Sequence, residues 1–340
     1  MKKRLLGFAA GVALVFLLLE ALFHLLPVST ATRSGYYVHP LILTYPPHHC
    51  FVASTGWDLK NSQLNCANNL GFLADRDFVH NPAAIALIGD SFVEANMLDP
   101  KDRLAAQLER SLDGRQIYSL GGPGSSLLDY AERAKFAAHE LGIRTFVFFL
   151  ERGDVKQALC GSGNIHGPCI DSVNLTLRTE TQRAPGFLKR IFRESALAQY
   201  VFSQLKFDVS SALSRPSKTG SRSEANAGES GLRAVATDLV VQKFIEQLKT
   251  IDGARHVLVI DAERENLFGE VKPVFSGLGG LVTSAQADGI AVVDPTPAFR
   301  EFVSGTGMIL EIGPYDRHLN PEGVRVLAEA IAKKLAAGNH

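Results

Sequence analysis

The chain has 340 residues, of which 46% are hydrophobic and 21% are charged. This composition is typical of a globular protein with one large or two ordinary domains, and it excludes a chain that is disordered as a whole. Its 35 basic and 35 acidic residues give a formal net charge of +0 without a long basic stripe, so we expect no nucleic-acid partner.

The amino-terminal residues have the pattern of an export segment. A basic tripeptide at residues 2–4 precedes a largely apolar stretch over residues 5–28, in which Glu20 and His24 are the ionisable residues. A helix needs about 20 apolar residues to cross a bilayer, whereas a cleavable signal has an apolar region of roughly 7–15 residues. We therefore interpret residues 1–30 as an uncleaved anchor, with a cleaved signal as the alternative. The positive-inside rule then places the rest of the chain outside the cytoplasm.

Export makes the four cysteines candidates for disulfide bonds, because they would meet an oxidising compartment. Proximity in the sequence favours the pairs Cys50–Cys66 and Cys160–Cys169 among the three possible pairings. The alternative is a zinc site that includes the histidines just before the first cysteine. No CxxC spacing supports it, so we expect disulfides and no metal.

The rest of the chain divides by its patterns. Residues 31–80 have no clear periodicity, and we interpret them as an extension that packs on the main domain. Residues 81–340 alternate apolar runs with helical patterns and form that domain. The alternation stops at about 171–233, where a Ser/Gly-rich, charged stretch predicts a helical or flexible insertion.

Five apolar runs in the main domain suit β-strands: residues 84–88, 116–120, 145–150, 256–260 and 290–293. Helical patterns lie between them, with Thr237 as a candidate N-cap and Pro321 near the start of the last helix. Strands that alternate with helices predict an α/β fold, with a mainly parallel five-stranded sheet between two helical layers.

Polar segments follow three of the predicted elements. Ser91 follows the first strand in "IALIGDSFVE", and Gly124 lies in the glycine-rich "SLGGPGSS" after the second. Asp316 and His318 lie in "GPYDRHLNPEG", which follows the fifth strand and comes just before the last helix. Ligands of parallel sheets bind outside the carboxyl ends of the strands, so we expect these residues to share one rim.

These residue types fit nucleophilic catalysis. A serine hydroxyl becomes a nucleophile when a base takes its proton, and histidine titrates near neutrality. A carboxylate orients the histidine, and backbone N–H groups stabilise the oxyanion.

The same stretches resemble the sequence blocks of a known family. "IALIGDSFVE", "YSLGGPGSS" and "YDRHLNPEGVRVLAEAI" are similar to three blocks of the SGNH or GDSL hydrolase superfamily. "NNLGFLADRDF" resembles the lead-in that its membrane-anchored, exported bacterial members carry before the first strand.

The resemblance implies a flavodoxin-like three-layer fold after an N-terminal transmembrane helix. It implies Ser91 as the nucleophile, His318 as the base and Asp316 as the acid, with the N–H groups of Ser91 and Gly124 as oxyanion donors. It implies no cofactor, and a single-pass protein of the bacterial inner membrane with its catalytic domain on the periplasmic side.

Two positions depart from the family pattern. In "FFLERGDV", Gly153 stands at the oxyanion position where the family has an asparagine. One such donor is typically worth about 10²–10³ in rate. One residue separates Asp316 from His318 instead of the usual two, and we expect a loop geometry to bring them together.

The resemblance implies an exported serine esterase that removes acyl groups, O-acetyl groups above all, from an envelope or extracellular polysaccharide. The implied partners are an acylated glycan, the inner membrane and the envelope polysaccharide machinery. An O-acetyltransferase would share the same acyl-enzyme. A non-catalytic module that binds glycan or scaffolds an assembly is the third hypothesis, and Gly153 favours it.

Overall fold

The computed structural model describes residues 2–57, 59–163, 167–205, 227–262, 264, 267, 278–313 and 316–337. Contacts divide the chain into two compact units, which we call the small unit and the large unit. The small unit comprises Met1–Arg33, Cys50–Cys66 and Arg183–Ser223, and the large unit comprises Ser34–His49, Ala67–Gln182 and Glu224–His340.

The described part of the chain contains thirteen strands and eleven α-helices. The strands are β1 (Gly35–His39), β2 (Ile42–Thr44), β3 (Cys50–Ala53), β4 (Gln63–Cys66), β5 (Ile85–Gly89), β6 (Ile117–Gly121), β7 (Thr145–Leu150), β8 (Pro168–Ile170), β9 (Leu177–Thr179), β10 (Arg255–Ile260), β11 (Ala291–Val293), β12 (Glu311–Gly313) and β13 (Asp316–Leu319). The α-helices are α1 (Lys2–Leu25), α2 (Ser91–Glu94), α3 (Leu104–Ser111), α4 (Leu127–Glu140), α5 (Asp154–Gln157), α6 (Phe187–Glu194), α7 (Ala196–Ala198), α8 (Ala227–Lys249), α9 (Gly279–Ala287), α10 (Thr296–Thr306) and α11 (Pro321–Ala337).

The large unit is built on a five-stranded parallel sheet with the order β11-β10-β7-β5-β6. Counted in chain order, this is the 2-1-3-4-5 order of flavodoxin-like folds. The predicted α/β fold with its five-stranded parallel sheet is confirmed, and each strand begins and ends within one residue of the predicted run. The winding reverses at β5, and the residues after Gly89 therefore lie at the switch point of the sheet.

Two apolar clusters cover the two faces of the sheet. Ile88 and Phe148 belong to one cluster, together with buried residues of α4, α8 and α9. Leu87 and Phe149 belong to the other, together with residues of α3, α10 and α11. Successive side chains of a strand alternate between faces, so a strand covered on both sides is apolar throughout. The predicted three-layer arrangement follows from these two clusters.

The region predicted to be an insertion contains regular structure. Strand β9 and helices α6 and α7 lie in it, and a π-helical turn covers Gln199–Gln204. The Ser/Gly-rich stretch that we expected to be flexible lies mainly at residues 214–226, outside the described residues. Thr237 is not an N-cap, because α8 begins at Ala227 and the Thr237 hydroxyl donates to carbonyl groups one turn earlier in that helix. The domain limits given above stay predictions.

Both predicted disulfide bonds are present. Cys50–Cys66 joins β3 to β4 in the small unit, and Cys160–Cys169 closes a loop of the large unit. All four cysteines of the chain are therefore in disulfide bonds. Helix α1 has a mean hydropathy of 2.4 over its most apolar window, none of which is buried, and it is long and apolar enough to cross a membrane.

Candidate active site

Ser91 is the first residue of α2, directly after the carboxyl end of β5. The preceding Asp90 caps this helix, because its carboxylate accepts a hydrogen bond from the Phe92 N–H at 2.9 Å. The apolar run of β5 is buried along its whole length, whereas Ser91 is partly exposed. The sheet thus presents the hydroxyl of Ser91 at its rim, next to the first N–H groups of a helix.

Ser91, His318 and Asp316 form one hydrogen-bonded chain. The Nε2 atom of His318 lies 2.9 Å from the Ser91 Oγ, and its Nδ1 lies 2.5 Å from the Asp316 Oδ1. A carboxylate accepts hydrogen bonds, so Nδ1 carries the proton and Nε2 is free to accept one from the hydroxyl. The structure brings together the three residues that the sequence named, in the order that nucleophilic catalysis needs.

Asp316 and His318 lie in a strand, so the expectation of a loop geometry is wrong. Both belong to β13, which pairs with β12 as an antiparallel hairpin. Residues two apart in a strand project from the same side, so one intervening residue suits this contact. The Asp316 Oδ1 also accepts the backbone N–H of His318 at 3.0 Å, which fixes the carboxylate beside the ring.

Asn320 connects the hairpin to α11. Its amide donates to the carbonyl groups of Ile309 and Glu311, at 2.8 and 3.2 Å. Its Oδ1 accepts the N–H of Gly323 at 2.9 Å, as an N-cap does. A Cβ at Gly323 would lie 2.6 Å from the Leu310 carbonyl oxygen, so glycine allows this close approach. The acid and the base are therefore held by a helix that packs against the sheet.

Arg264 is a second support of the hairpin, and the sequence did not reveal it. Its side chain is 6% exposed and forms an ion pair with Asp261, just after β10. It also donates to the Glu311 carboxylate at 3.1 Å and to the Arg317 carbonyl at 2.8 Å. The guanidinium group stands 5.4 Å from the centre of the Phe92 ring. Arg264 thus links the sheet, the residue after the nucleophile and the strand that carries His318.

Phe92 forms the apolar wall behind the histidine. Its ring centre lies 4.5 Å from that of His318 and 5.4 Å from that of Phe149. Because Phe92 follows Ser91 directly, the same short helix presents the hydroxyl and packs against the imidazole.

The glycine-rich loop after β6 is held by a buried arginine. Arg133 donates to the carbonyl groups of Gly89 and Leu120, at 3.0 and 3.2 Å, and to the Ser125 hydroxyl at 2.5 Å. A Cβ at Gly122 would lie 2.5 Å from this guanidinium group, so a side chain there would displace it. The loop is therefore fixed at the ends of two neighbouring strands.

Gly124 is the glycine of this loop that suits an oxyanion donor. Gly121 ends β6 and pairs with Gly89, and the Gly122 N–H donates to the Gly89 carbonyl at 3.2 Å. Gly124 has a φ of +69°, a left-handed conformation that favours glycine. Its role as a donor stays a prediction.

A carboxylate lies beside Gly153, where the family pattern has its third oxyanion donor. The Glu151 carboxylate accepts the Gly153 N–H at 2.6 Å, and the Glu151 N–H donates to Asp154 at 2.8 Å. The Gly153 N–H is therefore engaged. The Gly153 φ of −80° would allow other residues, although a Cβ would lie about 2.5 Å from the flexible ends of Gln157 and Glu151.

Buried carboxyl groups lie beneath the rim. Desolvation raises the pKa of Asp90 to about 6, although the Phe92 N–H and the charge of His318 act in the opposite direction. Desolvation likewise raises the pKa of Asp261 to about 6, against the effect of Arg264, and raises the pKa of Asp154 well above its usual range. Burial thus outweighs the neighbouring cations and hydrogen-bond donors at all three carboxyl groups.

Glu94, at the end of α2, is fully buried. Desolvation raises its pKa from 4.5 to about 7, and the Tyr45 hydroxyl, which hydrogen-bonds to it, acts in the opposite direction. Among the described residues, the group of metal-ligating types that lies close together is Cys160, Cys169 and Glu180. Since its two thiols form a disulfide, this group offers no metal site.

No family model matches the chain, and no curated protein matches it. A solved member of the lipolytic protein G-D-S-L family from Veillonella parvula is 14% identical, covering 74% of this chain and 98% of that chain with a TM-score of 0.41. An α/β hydrolase enzyme from the metagenome of Lake Arreo is 14% identical, covering 77% and 99% with a TM-score of 0.42. A two-domain esterase active on acetylated mannans is 11% identical, covering 75% and 49% with a TM-score of 0.38. At this distance the likeness does not assign the chain to a family.

Proposed function

We propose that this chain is an exported serine esterase that removes acyl groups from a polysaccharide through an acyl-enzyme. The observation that carries the proposal is the hydrogen-bonded chain Ser91–His318–Asp316 at the switch point of a parallel sheet. Both pairs of atoms lie within hydrogen-bonding distance, and each residue type suits its role.

The reaction proceeds in two halves. The Ser91 Oγ attacks the ester carbonyl carbon while His318 takes the hydroxyl proton at Nε2, and Asp316 stabilises the imidazolium. The N–H groups of Ser91 and Gly124 bind the oxyanion. The intermediate collapses, His318 returns the proton to the leaving sugar oxygen, and the acyl group stays on Ser91. Water then attacks the acyl carbon and gives a proton to His318. The bond between the acyl carbon and the Ser91 Oγ breaks, His318 returns the proton to that oxygen, and the carboxylic acid leaves.

Two kinds of support bear on the location and the substrate. The apolar helix α1 and the two disulfide bonds favour export or membrane anchoring. The O-acetylated glycan rests on the resemblance of "DRHLN", residues 316–320, to variants found among polysaccharide-associated family members. We place the site outside the cytoplasm for the first reason and choose the substrate for the second.

Acetate release tests the proposal. The purified full chain is incubated with chemically acetylated oligosaccharides and, separately, with p-nitrophenyl acetate. The wild type should release acetate from both, whereas Ser91→Ala and His318→Ala should lose nearly all release. Ser111→Ala is the matched control, because that hydroxyl donates to the Gln107 carbonyl of its own helix.

Two outcomes would contradict the proposal at different levels. Equal release by the wild type and Ser91→Ala would overturn the esterase chemistry. Release from p-nitrophenyl acetate that depends on Ser91, without release from any acetylated oligosaccharide, would overturn the polysaccharide substrate and leave the chemistry standing.

A further inference from the structure

Helix α6 of the small unit is amphipathic and none of its residues is buried. Four large apolar side chains are 52–69% exposed: Phe187, Leu188, Ile191 and Phe192. At about 3.6 residues per turn they lie on one side of the helix. The basic residues lie on the other side: Lys189, Arg190 and Arg193. Phe and Leu on one face with Lys and Arg on the opposite face is typical of a helix that lies in a membrane interface.

The end of the apolar helix α1 is joined to the segment that follows α6. The Glu20 carboxylate accepts the Ser195 hydroxyl and the Ala196 N–H, both at 2.7 Å, and the Leu197 N–H at 3.2 Å. It also lies 3.0 Å from the His24 Nε2. Glu20 therefore caps the short helix α7, which begins two residues after α6 ends.

Two further contacts connect the same segments. The Phe23 ring centre lies 4.6 Å from that of Tyr200. One guanidinium nitrogen of Arg33 donates to both carboxylate oxygens of Glu194, at 2.8 and 3.0 Å. Phe23 of α1 and Arg33 of the segment after α1 thus contact residues on the two sides of α7.

The length of α1 indicates how deep in the membrane the contact between Glu20 and α7 lies. Fifteen steps along a helix, from Leu5 to Glu20, rise about 22 Å at 1.5 Å per residue, and a bilayer core is about 30 Å thick. When the basic residues before Leu5 stay at the cytoplasmic surface, Glu20 is about 8 Å below the outer boundary of the core, the depth at which interfacial helices bury their apolar faces. A carboxylate within reach of a bilayer needs hydrogen-bond partners, and α7 supplies them.

We propose that α6 lies in the outer interface of the membrane that α1 spans, with Phe187, Leu188, Ile191 and Phe192 in the lipid. The occupant of this face is a lipid surface, because α6 is joined through α7 to the end of an apolar helix and the opposite side of α6 is basic. Anionic headgroups suit that basic side. The proposal also requires α1 to be retained, since cleavage after residue 31 would remove Glu20 and Phe23.

Lipid-dependent quenching of tryptophan fluorescence tests this placement. The chain has one tryptophan, Trp57, so the full-length Trp57→Phe protein is a silent background. Phe192→Trp and Ile191→Trp place the probe on the apolar side of α6, and Arg190→Trp is the matched control on the basic side. Each protein is reconstituted into vesicles of phosphatidylethanolamine and phosphatidylglycerol, with and without lipids brominated near the headgroup end of the acyl chain.

We expect brominated lipid to quench the two apolar-side probes several-fold more than the control. If Phe192→Trp and Ile191→Trp are not quenched, or are quenched no more than Arg190→Trp, the proposal is overturned. The apolar side of α6 would then face water or another protein. The intact mass of the protein from native membranes gives a second readout. It should include the residues of α1, and a mature chain that begins after residue 31 would also overturn the proposal.

Discussion

Replacing Arg264 tests whether the support of the hairpin sets the rate. Arg264→Met keeps the length of the side chain but removes the ion pair with Asp261 and the hydrogen bonds to Glu311 and to the Arg317 carbonyl. Arg264→Lys is the comparison, because a lysine ammonium group keeps the positive charge but lacks the planar set of guanidinium N–H donors.

The expected loss of stability follows from the burial of the Arg264–Asp261 ion pair. The side chain of Arg264 is 6% exposed and that of Asp261 is 5% exposed. Removing one partner of a buried ion pair costs about 3–5 kcal/mol, because the other charge is left unpaired. The hairpin also loses a bond next to His318, and a displacement of about 1 Å in an active site can cost about 10²-fold in rate. We therefore expect Arg264→Met to lower both the melting temperature and kcat, with KM nearly unchanged.

Steady-state hydrolysis of p-nitrophenyl acetate and thermal unfolding measure the two effects. Arg325→Met is the control, because Arg325 is 40% exposed and pairs with Glu322 and Glu329 on the surface of α11. Such surface pairs contribute about 0–1 kcal/mol, and this one does not touch the site. Arg264→Lys should fall between the wild type and Arg264→Met in kcat. The reasoning is refuted when Arg264→Met matches Arg325→Met in both kcat and melting temperature.

Two further changes probe the oxyanion region and the buried carboxyl group of α2. Gly153→Asn should raise kcat for p-nitrophenyl acetate by up to about 10²-fold if the new amide reaches the oxyanion. The side chains of Glu151 and Gln157 must shift to make room for it. An unchanged or lower kcat contradicts this prediction. The folded state raises the pKa of Glu94 from 4.5 to about 7, so it holds a proton that the unfolded chain releases. The stability that this proton contributes should fall by about 3 kcal/mol as the pH rises through this range. Asp90 and Asp261 contribute to the same pH range, so Glu94→Gln should remove only the Glu94 part of the pH dependence of urea unfolding between about pH 5 and pH 8. The same pH dependence in Glu94→Gln and the wild type contradicts this.

The sheet was predictable because its strands are buried on both faces. A strand such as β5 reads as an unbroken apolar run, and the turn residues after it mark the carboxyl end. Residues at those ends share a rim, so the position of Ser91 could be predicted, whereas His318 was named from the residues just before the last helix. The spacing of Asp316 and His318 fits the strand in which they lie, since residues two apart face the same side, and our expectation of a loop overlooked this.

Long-range contacts and local composition account for what the sequence did not show. Arg264 meets Glu311 and the Arg317 carbonyl across 47 and 53 residues of chain, and no periodicity surrounds it. The start of α8 at Ala227 lies in a glycine- and serine-rich stretch typical of loops, whereas buried residues such as Phe244 pack the later part of the helix against the sheet. The side chains of Leu232 and Val235 near the start of α8 are exposed, so buried packing does not mark that boundary, and the apolar pattern alone placed it near Thr237.

Covalent labelling by a fluorophosphonate tests most directly whether Ser91 is an activated nucleophile. Intact mass and peptide mapping after exposure to the probe should show one adduct, on Ser91. His318→Ala should abolish the adduct, and Asp316→Asn should slow its formation by about 10³–10⁴-fold, because the imidazole would then carry its proton on the wrong nitrogen. An unlabelled Ser91 in the folded wild type, or equal labelling in wild type and His318→Ala, would contradict the proposed mechanism.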